Sequence, residues 1–260
     1  ARLQEEAADY FVQRGMFDRA VQLYTKSGFT QRALDLCFEH RLFDQLRDIA
    51  DTLGADSDPR LLQRCSEFFI DHGQYAQAVA LLVLSGQTDK ALDLCAMHSV
   101  GLDESTAARI AEAPREADAA AEARRVDRLL KVAKILAQQG SYTLATKAYT
   151  QAGDKVRAMQ CLLKTGDTKK IESFATITKR KEVWVLAANY LQNLNWHEDA
   201  SVKDKIVAFY SKAAAWDQLA GFYDAAAQVE IDEFRNYDRA LAAFREAQGA
   251  ARKGAGGEDG

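Results

Sequence analysis

"FDRAVQLYTKSGFTQRALDLC", Phe17 to Cys37, is matched 58 positions later by "YAQAVALLVLSGQTDKALDLC", Tyr75 to Cys95. Ala20, Val21, Leu23, Ser27, Gly28 and the run Ala33 to Cys37 recur as Ala78, Val79, Leu81, Ser85, Gly86 and Ala91 to Cys95. A looser third copy, "YTLATKAYTQAGDKVRAMQCL", runs from Tyr142 to Leu162, offset by 67 from the second. The three share a formula. Gly15, Gly73 and Gly140 stand two residues before an aromatic (Phe17, Tyr75, Tyr142), an alanine follows three later (Ala20, Ala78, Ala145), then a second glycine (Gly28, Gly86, Gly153), then alanine again (Ala33, Ala91, Ala158). Self-similarity at such periods is the mark of a helical solenoid.

Twelve residues separate the paired glycines of every copy, and each span places apolar residues at i, i+3 and i+4, the pattern of an amphipathic helix of about three turns. Glycine at the end supplies the left-handed backbone that closes one helix and lets the next fold back. The alanine after the aromatic lets two helices approach closely, with the ring filling the space beside it. One such hairpin cannot cover its own apolar face, whereas a stack can. With only Pro59 and Pro114 to break helices, the chain reads as all-α: a right-handed α-solenoid of tetratricopeptide-like helical hairpins.

The same pattern divides the chain. Residues 1–110 hold the first two copies. Residues 111–125, "AEAPREADAAAEARR", contain no large hydrophobe and read as a flexible or exposed Ala-rich linker. Residues 126–252 carry further repeats, with a degenerate middle from Ala175 to Ala227 and a closing copy from Tyr237 to Ala247 in which Arg235 replaces the leading glycine. Residues 253–260 read as a disordered tail. Within the first part, "GADSDP" ends one helix and starts another, with Asp58 as N-cap and Pro59 at the first helical position.

Little in the chain points to chemistry. A net charge of −4 over 260 residues gives no global field to attract nucleic acid. No apolar run reaches the roughly 18 residues that would insert in a membrane. Four cysteines in a chain of this length are too sparse for a secreted disulfide framework and fit a reducing compartment. The phosphate-loop, dinucleotide, zinc-protease and nucleophile-elbow motifs are all missing, and the chain is expected to be no enzyme and to need no cofactor. Cys37-x-x-His40 and Cys95-x-x-His98 are the sharpest candidate metal ligands. They sit at equivalent positions of separate repeats, several helices apart at about 8–10 Å each, while zinc needs ligands within about 2.3 Å. The cysteines read instead as small core residues, and no metal is expected. His72 and His197, beside Asp71 and Glu198, lack a nucleophile placed to complete a triad.

Two groups are candidates for binding a partner. Trp184, Trp196 and Trp216 fall where the repeat formula is weakest, and tryptophan is enriched at interfaces. Lys164, Lys169, Lys170, Lys179, Arg180 and Lys181 gather in one region, of which Lys179, Arg180 and Lys181 are contiguous; they suit an acidic partner or a phosphoinositide.

"RCSEFFIDHGQYAQAVALL" (Arg64 to Leu82), "GSYTLATKAYTQAGDKVRAMQCLLKTGDTKKIESFA" (Gly140 to Ala175), "AANYLQNLNW" (Ala187 to Trp196) and "LAGFYDAAAQVEIDEFRNYDRAL" (Leu219 to Leu241) closely resemble the C-terminal tetratricopeptide-like region of the intraflagellar transport protein 140 family. The resemblance implies a core subunit of intraflagellar transport complex A, a non-enzymatic scaffold of the cilium, flagellum, basal body and cytoplasm that serves retrograde transport and import of membrane-protein cargo. It implies other complex A subunits, and membrane-cargo adaptors, as partners. It offers no catalytic residue to transfer. Family members carry N-terminal β-propellers, so the chain, opening on Ala1, reads as an excised piece. A related vesicle-coat or tethering solenoid is the alternative. An uncapped first helix would expose roughly 300 Å² of apolar surface, unfavourable by about 7 kcal/mol, and self-association through that end is expected.

Overall fold

The computed structural model describes residues 2–54, 57–111 and 119–255, which form sixteen helices and, among the described residues, no strand. The first copy of the formula lies in α1 (Arg2–Gln13), α2 (Phe17–Lys26), α3 (Thr30–His40) and α4 (Phe43–Thr52). The second lies in α5 (Pro59–Asp71), α6 (Tyr75–Leu84), α7 (Thr88–His98) and α8 (Glu104–Ala111). The third lies in α9 (Ala119–Gln138), α10 (Tyr142–Gln151), α11 (Lys155–Thr165) and α12 (Thr168–Thr178). Beyond them come α13 (Lys181–Leu191), α14 (Ala200–Ala213), α15 (Trp216–Asp232) and α16 (Tyr237–Ala255). The architecture is an all-α, tetratricopeptide-like solenoid of helical hairpins.

The hairpin turns are made the same way each time. Gly15, Gly73 and Gly140 lie at φ 71°, 73° and 85°, and Gly28, Gly86 and Gly153 at 83°, 78° and 85°. Around Gly73 the amide of Gln74 donates to Phe69 O at 2.8 Å and that of Gly73 to Ile70 O at 3.0 Å, the paired bonds that satisfy carbonyls left over at a helix end. The amides of Gln87 and Gly86 repeat this on Leu82 O and Val83 O at 2.9 and 3.2 Å. The segment between α4 and α5 ends as its sequence suggests: Asp58 accepts from the amide of Arg60, with Pro59 at the first helical position.

Not every left-handed turn uses glycine. Arg41, Ser99 and Gly166 occupy the same place after the third helix of each copy and all adopt positive φ, at 55°, 53° and 70°. Lys179 and Ala214 close later helices in the same way, and Arg235, two residues past the cap of α15, also adopts positive φ. Arg235, which stands where the closing copy lacks its glycine, therefore keeps the turn at a backbone cost that glycine would have avoided.

The chain divides into two compact units, Ala1–Gln139 and Gly140–Gly260. The division falls inside the third copy and not at the Ala-rich stretch expected to separate the halves. Of that stretch, residues 112–118 lie outside the described residues, while 119–125 form the opening turns of α9. Here Ala121 and Arg125 are buried. Burial without a large hydrophobe works because Arg125 contributes its methylene stem and its guanidinium meets Glu122 one turn back, Nε to Oε2 at 3.0 Å. At the other end, residues 253–255, expected in a disordered tail, are the last residues of α16, and 256–260 lie outside the described residues.

In the first unit the largest fully buried side chains are Leu34, Leu46, Leu62, Phe69, Leu92, Leu129 and Leu136. At its start Ala8 is buried, whereas Leu3 and Tyr10 on α1 are 82% and 50% exposed. The core of the second unit runs from Met159 and Ile171 through Val183, Ala187 and Leu191 to Ile206, Phe209, Tyr210 and Phe222. The degenerate middle of the sequence thus supplies most of that core. Its loss of the glycine formula reflects longer helices, with α14 and α15 at 14 and 17 residues against 10 for α6 and α10.

Candidate interaction surfaces

Ala20, Ala78 and Ala145 have no exposed surface, nor have Ala33, Ala91 and Ala158. These six positions lie on the second and third helices of each copy, and a side chain larger than a methyl group would have to push neighbouring helices apart. The glycines of the formula lie on the surface at the turns. Together these residues build the scaffold and leave binding to other side chains.

The two Cys-x-x-His pairs are split by burial. Cys37 and Cys95 are buried, and burial pushes their thiols up, Cys37 to about 12 and Cys95 to about 11, so both stay protonated. His40 faces the other way and stacks on Phe17, the aromatic that opens α2, with ring centroids 3.6 Å apart. His98 stacks on Tyr75 in the same manner at 3.7 Å. The histidine thus pins the end of the third helix to the start of the second. Among the described residues no group of three or more His, Cys, Asp or Glu is placed to hold a metal ion, and no helix is long and apolar enough to cross a membrane.

The tryptophans do not form a common surface. Trp196 is buried, its ring 5.0 Å from Phe222 and tilted over His197. It fills the core of the second unit and is not open to a partner. Trp184 packs half-buried against the same core, with an indole N–H that has no acceptor among the described residues. Trp216 opens α15 and receives the ammonium of Lys253 over its ring at 5.3 Å. Lys179, Arg180 and Lys181 are exposed together where α12 connects into α13.

Two grooves follow the second and fourth helices of a copy. One, of about 460 Å³, lies between α6 and α8 and is bounded further by α4. Its charged rim is balanced: Arg47 and Arg109 stand with Asp51 and Asp103. Asp103 is already engaged, since burial raises its pKa but hydrogen bonds from Ser105 and Thr106 outweigh that and hold it below the usual carboxylate range.

The other groove, of about 640 Å³, lies between α10 and α12. Leu162, Phe174 and Ile177 line it with apolar surface, and Lys147, Lys169, Lys170 and Asp167 edge it. Asp167 caps α12 by accepting from the amide of Lys170 and also pairs with the Lys170 ammonium at 2.8 Å. These bonds from Lys170 hold its carboxyl below the usual range. Lys147 and Lys169 have no carboxylate within ion-pair distance among the described residues. Lys169 and Lys170 stand out in the sequence as part of a basic cluster, whereas Lys147, Phe174 and Ile177 carry no such mark. A fainter signal exists: Ile171 and Ala175 mark the buried stripe of α12, and Ile177 lies off it, 79% exposed.

Comparison with known proteins supplies a family. Residues 1–209 match the model of the TPR domain of intraflagellar transport proteins 140 and 172, and residues 217–259 match that of the C-terminal TPR domain of intraflagellar transport protein 140. The intraflagellar transport protein 122 homolog of Danio rerio is 27% identical over 199 residues, covering 74% of this chain and 16% of that protein. Its counterpart in Xenopus tropicalis is 24% identical over 198 residues with the same coverage. The chain therefore spans about a sixth of the length of the curated relatives it matches. Among solved structures, a "Circular tandem repeat protein with novel repeat topology and enhanced subunit contact surfaces" aligns over 96% of this chain and 63% of its own, at 12% identity and a TM-score of 0.21.

Proposed function

The chain belongs to the family of TPR domains found in intraflagellar transport proteins 140 and 172, and from that premise we propose that it is a scaffold segment of an intraflagellar transport complex, binding neighbouring subunits without catalysing a reaction. The match of family models to residues 1–209 and 217–259 is the observation that carries this reading. The geometry is in keeping with it. The fold spends its repeated residues on helix–helix contact, its thiols are buried and protonated, and its grooves are open and lined by side chains suited to holding another protein.

The finer assignment follows from the sequence resemblance. We place the chain in a subunit of the protein 140 type within complex A, acting in the cilium or flagellum, at the basal body and in the cytoplasm. There it would contribute to complex assembly, to retrograde transport and to import of membrane-protein cargo, with other complex A subunits as partners and cargo adaptors as further ones. The exposed Lys179, Arg180 and Lys181, together with the half-buried Trp184 and Trp216, remain the contacts proposed from sequence.

Affinity capture from ciliated-cell extract, with this chain as bait and the eluate identified by mass spectrometry, tests the reading. Complex A subunits are expected in the eluate. Vesicle-coat or tethering components in their place would overturn it in favour of the related trafficking solenoids.

A further inference from the structure

We propose that the groove between α10 and α12 receives an acidic, amphipathic helical segment of a protein partner. Charge, shape and an unburied side chain converge on it. From Gly140 to Lys181 the chain carries nine lysines and arginines against three carboxylates, in a protein whose net charge is −4. This is a basic island on an acidic molecule, and three of its nine basic residues, Lys147 on α10 and Lys169 and Lys170 on α12, edge the groove itself.

Within the island, Lys170 is already held by Asp167 at 2.8 Å, whereas Lys147 and Lys169 have no carboxylate partner among the described residues. They stand on opposite helices, α10 and α12, so a segment lying between them meets positive charge on both sides. The space between is apolar. Phe174 packs against the core of the second unit, and Ile177 leaves 79% of its surface to water although it lines the groove. A row of leucine-like side chains spaced i, i+3, i+4 and i+7, flanked by glutamates, satisfies all of these groups at once.

The concavity favours a peptide over an anionic membrane. A lipid surface presents its charges on a broad face that cannot enter a cleft between two helices, while a groove of about 640 Å³ falls in the usual ~300–1,000 Å³ range of ligand clefts. The α6–α8 groove makes an internal control. Its two arginines are matched by two aspartates, and none of its lining residues is a large exposed hydrophobe.

The inference rests on the scaffold reading above, and its test does not depend on which complex the chain serves. The full 260-residue chain is titrated, by fluorescence polarisation, into a panel of amphipathic helical peptides with a leucine row flanked by glutamates. Twin peptides carry lysine in place of glutamate. The acidic peptides are expected to bind at least ~10-fold more tightly than their basic twins, and the double variant Lys147→Glu/Lys169→Glu should weaken them by about 10-fold, with binding that declines as salt is raised. Ile177→Asp should weaken them while the circular-dichroism melt is unchanged, and Lys134→Glu, on α9, should leave binding intact. Three results would overturn the proposal: no acidic peptide binding below about 1 mM, acidic and basic twins binding alike, or binding that survives the double charge reversal. Flotation with phosphatidylcholine–phosphatidylserine vesicles at about 4:1 separates the other source of negative charge, since vesicle binding that Lys147→Glu/Lys169→Glu abolishes and that acidic peptide fails to displace would also overturn it. None of these failures would alter which subunits affinity capture recovers.

Discussion

The second and third copies of the repeat agree up to one turn and then part. In both, the third helix ends on a left-handed residue, Ser99 in one and Gly166 in the other. After Gly166 the chain enters α12 at once, with Asp167 as cap. After Ser99 three further residues intervene before Asp103, whose carboxylate accepts from the amide of Thr106 at 2.8 Å and takes the capping role for α8. The insertion is not slack. Leu102 is buried, and the Gln139 side chain grips it by both backbone groups, accepting from Leu102 N at 2.9 Å and donating to Leu102 O at 2.8 Å. The fourth helix follows, α12 in the third copy and α8 in the second. The groove beside it changes from basic and apolar to charge-balanced. The difference teaches that the repeated phrase governs the helices it spells out, while the fourth helix is free to vary and sets the chemistry of the surface.

That contrast can be strained by experiment, and the two units can be followed separately because Trp184, Trp196 and Trp216 all lie in the second. The steepest response is expected from alkali. Burial pushes Cys37 up to about 12 and Cys65 and Cys95 to about 11, all in the first unit, and raises Cys161 in the second. A raised folded pKa means stability fully present below the unfolded thiol value of about 8.5 and lost as pH climbs towards the folded values. Between about pH 8.5 and 9.5, below the ordinary tyrosine value of about 10 and so before the buried tyrosines of either unit contribute, the circular-dichroism midpoint should therefore fall further than the tryptophan-fluorescence midpoint; equal falls would mean that the thiols of the two units are alike.

Overpacking comes next. Ala78→Leu in the second copy and Ala145→Leu in the third should each cost roughly 1–3 kcal/mol in urea titration. A neutral result at one site would break the equivalence of the two copies at the helix contact itself.

Gly101→Ala tests the insertion. A Cβ there would stand 2.9 Å from Gln139 Oε1, displacing the amide that holds Leu102. About 1–2 kcal/mol should be lost as the backbone groups of Leu102 lose a partner, with the tryptophan signal unaffected.

The smallest effect belongs to the shared turn. Gly166→Ser should cost about 1 kcal/mol by placing a Cβ in the left-handed region. Ser99→Gly should return less than that, because glycine also frees the unfolded chain. If neither substitution moves the midpoint, the left-handed turn is not under strain in either copy.

The candidate site was less legible than the fold. Lys169 and Lys170 stand out as a basic cluster, but charge along a chain does not say what lies across from it. Lys147 faces them only because α10 and α12 pack beside the same groove, although it lies 22 positions before Lys169 in sequence. Trp196 misleads for the reverse reason: a large amphipathic ring suits an interface and a core equally, and Phe222 and Ile206, far along the chain, decide for the core.

What the sequence determined by itself was local. Twelve-residue spans between glycines, alanine at a fixed place and an aromatic two residues after each leading glycine dictate short helices, left-handed turns and close contact, because backbone sterics and helical periodicity act over a few residues. The tertiary structure decided whatever depends on residues distant in the chain: that Arg41, Ser99 and Arg235 take turns meant for glycine, that Gln139 holds a loop 37 residues back, and that one groove neutralises itself while the other keeps its charge. These outcomes rest on packing and electrostatics between helices, which sequence spacing alone does not encode.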